Sequence, residues 1–65
     1  MEKSDIYQLI DLAEEIIVLN KICALAMKKE SSIMPEGKDA SISTFNASAE
    51  FADTVLVVLE QLVSE

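Results

Sequence analysis

The sequence predicts an all-α fold, a two-helix antiparallel hairpin, on three observations. Its single proline and single glycine fall together near the middle of the chain. The arms on either side are of nearly equal length and contain neither breaker. Each arm repeats its apolar residues at the alternating three- and four-residue steps of a helix face. Ser31-Ser32-Ile33-Met34-Pro35-Glu36-Gly37-Lys38-Asp39 is therefore the expected loop. Helices are expected over roughly 5–30 and 40–63 of a single domain, 1–65.

In the first arm Leu9, Leu12, Ile16, Leu19, Cys23 and Ala26 form one apolar seam, and Ile6, Ile10, Ala13, Ile17, Ala24 and Met27 form a second beside it. An arc this wide asks for two neighbouring helices rather than one. Ser4 is the natural N-cap, with Asp5 near the positive end of the helix. Asp11, Glu14, Glu15, Lys21 and Lys28 mark the outer face, yet Val18, Ile22 and Leu25 point outward with them. These three are the candidate partner surface: they either fill the core of a symmetric dimer or meet a further protein. Asn20 lies between the seams. There it either fixes register or oligomeric state by pairing with a polar group, or reaches water or a backbone carbonyl from the seam's edge.

In the second arm Ile42, Phe45, Ala49, Ala52, Leu56, Leu59 and Val63 make an unbroken heptad seam. Ser48, Phe51, Val55, Val58 and Leu62 widen it, and Asn46, Glu50, Asp53, Glu60 and Gln61 lie opposite. Asp39, Ser41 and Ser43 are each possible N-caps. Together with Leu9, Leu12, Ile16, Leu19 and Cys23, this heptad seam is expected to drive self-association, the hairpin pairing as a homodimer into a four-helix bundle.

Size points the same way. A chain of 65 residues buries only about 60% of its extended surface and needs a staple or a partner. The lone Cys23 cannot close an intrachain disulfide, and a single thiol suits a reducing cytoplasm. With a net charge of −7 and all five basic residues lysines, nucleic acid is not an expected partner. No signal-peptide pattern opens the chain, and its uninterrupted apolar runs fall short of the roughly 20 residues a bilayer span requires. A cytoplasmic protein off the membrane is expected.

The chemistry of the side chains argues against an enzyme. Histidine is absent, and the other acid-base groups need an enclosing pocket that two helices do not supply. Glu14 and Glu15 point about 100° apart on a helix and do not converge. Cys23 lacks a histidine partner and is expected to pack as a small hydrophobe. Neither a metal nor a cofactor is expected, for want of His, of a second Cys and of a calcium-loop spacing. Lys28, Lys29 and Lys38 gather at the loop end as a weak candidate anion patch, and the second helix is otherwise acidic.

A non-enzymatic interaction module or regulator, self-associating and binding a protein partner, is the expected function. In architecture alone the chain looks like the short dimerising hairpins of the plasmid copy-number regulator Rop, with no shared motif. In size, acidity and helix layout it resembles the small hairpin co-chaperones of type III secretion systems. That likeness implies an adaptor, or an antitoxin-like subunit, stable only with its heteropartner. Its charged, proline-bearing loop with Pro35, Lys38 and Asp39 is similar to that of phage proteins that sequester signalling nucleotides, which implies a small-ligand pocket near Tyr7, Lys28, Lys29 or Lys38.

Overall fold

The computed structural model describes residues 2–32 and 34–65; Ile33, within the expected loop, lies outside the described residues. Two helices, α1 (Lys3–Lys29) and α2 (Pro35–Ser64), pack against each other as a hairpin. A helix of 30 residues at 1.5 Å per residue accounts for the long dimension of the molecule, 47 × 14 × 13 Å.

α2 begins at Pro35, ahead of the start near 40 that the turn residues suggest. Proline suits the first helical position because its fixed φ is already helical and its missing N–H would have no partner there. Met34 stays extended (φ −61°, ψ 144°), as a residue preceding proline prefers, and the Lys38 N–H donates to the Met34 carbonyl at 2.9 Å to close the first turn. Gly37 has no positive φ and simply continues the helix. The expected caps are not used: Ser4 lies within α1, and Asp39, Ser41 and Ser43 within α2. Glu2 and Met34 hold the cap positions, neither with a side-chain cap bond.

At the other end of the connection Glu30 turns extended and its N–H donates to the Met27 carbonyl at 3.3 Å. The Lys38 ammonium reaches back from α2 to the Lys28 carbonyl at 3.4 Å, placing a cation at the negative end of α1. The Ser32 N–H and hydroxyl both donate to Glu30 Oε1, at 3.0 and 2.8 Å. These bonds, the N–H foremost, hold the Glu30 carboxyl below the usual carboxylate range, helped by the Ser31 amide and the charge of Lys38.

The α2 heptad faces α1: Ala49, Ala52 and Leu59 are buried and Ile42, Phe45, Leu56 and Val63 half-buried. Of the two stripes on α1, it is Ile6, Ile10, Ala13, Ile17, Ala24 and Met27 that turns toward α2. Asn20 fills the remaining step of that heptad. It is half-buried, and its Nδ2 donates to the Ile16 carbonyl at 2.8 Å, a bond within its own helix.

Ile6, Ala13 and Leu59 make the densest cluster, with Ile10, Leu56 and Val63 against it, at the end of the hairpin away from the connection. The remaining buried residues are Ala24, Ala49 and Ala52. Alanines let helices approach closely but bury little area each. The accessible surface is accordingly large, 4845 Å², against roughly 4,100 Å² for a compact monomer of this mass.

Candidate functional site

The residues that remain outside fall into two unlike faces. On α1, Leu9, Leu12, Ile16, Leu19, Cys23 and Ala26 each precede a residue of the packed heptad by one position; on α2, Ser48, Phe51, Val55, Val58 and Leu62 do the same. One position is a rotation of about 100° around the helix. The approximate two-fold axis that exchanges antiparallel helices stands normal to the hairpin plane, so equivalent positions on the two helices come out on one side. Both stripes therefore form a single face. It holds Leu9, Leu12, Ile16 and Leu19 beside Phe51, Val55, Val58 and Leu62, all exposed, from 37% at Leu9 to 73% at Phe51.

The residues one position after the heptad form the opposite face, and they are mostly polar. Ile17, Lys21, Asn46, Ala49, Glu50, Asp53 and Thr54 line an open groove there. A shallower groove on the apolar side, lined by Cys23, Ala26, Met27, Glu30 and Phe45, carries the apolar face toward the connection. The hairpin as a whole is thus amphipathic, with one apolar and one polar broad side.

No protein-family model, curated protein or solved structure matches this chain.

The residues singled out in the sequence are distributed as follows. Leu9, Leu12, Ile16, Leu19 and Cys23 lie on the open apolar face, whereas Ile42, Phe45, Ala49, Ala52, Leu56, Leu59 and Val63 are engaged by α1 of the same chain. The surface that continues the α1 stripe is supplied instead by Phe51, Val55, Val58 and Leu62, which the sequence shows only as a broadening of the α2 arc. Their common offset of one position from the heptad is the signal that links them to α1. Cys23 is an exposed free thiol in the hairpin rather than a packed core residue, because the stripe that carries it turns away from α2. Val18 and Leu25, exposed by 54% and 55%, each follow a heptad residue and lie on the opposite, mostly polar side, and Ile22, exposed by 55%, lies on the outer flank of α1.

Lys28, Lys29 and Lys38 do meet at the connected end, but Glu30, Glu36 and Asp39 stand there too and Lys38 is committed to the α1 carbonyl. The cluster is close to neutral. Tyr7 belongs to the opposite end, beside Ile10, Glu60, Val63 and Ser64, so the connected-end lysines and Tyr7 share no pocket. Among the described residues no group of His, Cys, Asp or Glu is arranged to hold a metal ion.

By length and composition α2 is long and apolar enough to cross a membrane. Any 20-residue stretch within Pro35–Ser64 includes both Glu50 and Asp53. Such acids at the centre of a spanning helix cost about 2.5–3.5 kcal/mol each.

Proposed function

We propose that this chain is a small non-enzymatic interaction module that self-associates through its apolar face as a four-helix bundle and presents the assembled bundle to a protein partner. The observation that carries this reading is the one-sidedness of the hairpin. Leucine, isoleucine, valine and phenylalanine line one broad face, while the other is mostly polar, with Asp11, Glu14, Lys21, Asn46, Glu50, Asp53 and Glu60 interrupted by Tyr7, Val18, Leu25 and Val57. A soluble surface of this kind is a contact surface waiting for its complement. The area fits as well: the excess over a compact monomer, roughly 700 Å², is near the ~800 Å² each partner contributes to an ordinary interface.

The residue chemistry supports a binding role over catalysis, since the chain has no histidine and its grooves are open. A net charge of −7 disfavours nucleic acid and anionic lipid surfaces, and the acids midway along α2 disfavour a membrane span, all in keeping with a cytoplasmic protein. Val18, Ile22 and Leu25 favour a second reading, an adaptor completed by one heteropartner. Off the apolar face and exposed, they stay uncovered when the apolar faces pair.

Absolute mass by light scattering over about a hundredfold range of concentration, with circular dichroism and melting at each point, separates these readings. A helical dimer whose melting temperature rises with concentration is the expected result. A poorly folded monomer at every concentration would sink self-association and leave the adaptor.

A further inference from the structure

The apolar face is not uniform along its length. On α1 it runs from Leu9, Leu12, Ile16 and Leu19 near the open end to Cys23 and Ala26 near the connection. On α2 it runs from Leu62, Val58, Val55 and Phe51 to Ser48 and Thr44 in the same direction. Both helices are thick with side chains at the open end and thin at the connected end, so the face is a wedge. Charge is graded too. Among the described residues the open end carries Glu2, Asp5, Glu60 and Glu65 against one base, Lys3, whereas at the connected end Lys28, Lys29 and Lys38 balance Glu30, Glu36 and Asp39.

From these two gradients we infer that the occupant of the face is a second copy of this chain, turned end for end and flush with the first. The inference rests on the self-association proposed above and fixes its geometry. Thick over thin keeps the two hairpins a constant distance apart along their length, whereas thick over thick would splay them at one end and leave voids. End-for-end pairing also keeps the two acidic open ends apart and sets each against a neutral connection. Thr44 at the thin end does not oppose this. Thr44 already donates its hydroxyl to the Ala40 carbonyl at 2.9 Å, so its methyl is what it offers to an apolar neighbour.

The geometry names the crossing point. The midpoint of α2 (Pro35–Ser64) falls between Ala49 and Glu50. The grooves align Ile17 with Ala49 and Asp53, and Cys23 with Phe45, which brings Leu19 and Asn20 level with that midpoint. In a flush end-for-end dimer α1 lies on the partner's α1 and the two-fold axis passes beside Leu19, which meets its own copy. Ile16 then lies over Cys23 of the second copy and Leu12 over Ala26.

The test takes the full chain with Cys23→Ser as background. Mass is measured first, and a monomer at all concentrations overturns both the self-association and this geometry. In the dimer, spin labels on Ser64→Cys, an exposed site at the open end, are expected about 40 Å apart, from 1.5 Å of rise per residue on either side of the midpoint. A separation below about 20 Å means hairpins running side by side in the same sense, and overturns the inference while leaving self-association standing. Under mild oxidation Leu19→Cys is expected to cross-link roughly tenfold better than Leu12→Cys or Ile16→Cys, because only at the axis do Cα atoms come within disulfide range. Cross-linking that peaks at Leu12 or Ile16 means a slipped register and overturns the flush arrangement.

Discussion

Replacing Leu12 by alanine asks which broad side of the hairpin carries association. Leu12 is 52% exposed in the single hairpin, so about half of its side chain is left for a partner to cover. Full burial of a leucine contributes ~2 kcal/mol, which gives ~1 kcal/mol per copy and ~2 kcal/mol for a symmetric pair. That corresponds to a dissociation constant raised about thirtyfold. Leu25 is the matched control, with the same side chain and 55% exposure but a place on the opposite side of the hairpin. Leu25→Ala is expected to move the dissociation constant by less than about threefold. Sedimentation equilibrium reads both constants, and circular dichroism at high concentration shows that both variants still form helix. Equal losses in the two variants, or no loss in Leu12→Ala, would refute the assignment of the association face.

Two further substitutions probe the hairpin itself. Gly37→Ala is expected to stabilise by about 0.5 kcal/mol, because Gly37 has no positive φ and continues α2, so alanine removes unfolded-state freedom without strain. A lowered melting temperature would mean that this residue needs a conformation only glycine tolerates. Ser32→Ala removes the hydroxyl that, with the Ser32 N–H, lowers the Glu30 carboxyl below its ordinary 4.5. A lowered carboxylate stabilises the fold above its ordinary pKa and loses that contribution as pH falls through the lowered value. The melting gap between parent and variant is therefore expected at neutral pH and expected to close as pH falls through the lowered value; a gap that persists in strong acid contradicts the assignment.

Much of the hairpin is legible in the sequence because its strongest signals are local. Periodicity over an arm, the paired breakers between the arms and the unbroken α2 heptad each depend on short-range spacing. The start of α2 is harder, since Pro35 and Gly37 are breakers in the middle of a helix and acceptable at its beginning. Turn chemistry and first-turn chemistry use the same residues. The choice between the two α1 stripes is not local at all. Leu12 and Ala13 serve equally well as helix-face residues, and only the partner helix decides which turns inward. The structure favours the stripe bearing Ala13 and Ala24, the smaller residues, which lets α1 approach Ala49 and Ala52 closely. That decision determines where Leu9, Leu12, Ile16 and Leu19 end up, so the candidate face emerges only when both helices are seen together.

The cluster of Ile6, Ala13 and Leu59 sits at the open end, joining residues about 50 positions apart in the chain. Closing so long a loop costs only ~1 kcal/mol more than closing one a third its length. It works as a clasp, latching the hairpin where it would otherwise fray. Engineering tolerance follows from its position. Extra residues between Glu30 and Met34 lengthen a loop and leave the clasp shut, whereas removing 59–65 takes away Leu59 and Val63 and lets the two arms swing apart. A fused domain belongs at the connection, where the chain can be interrupted without touching the latch.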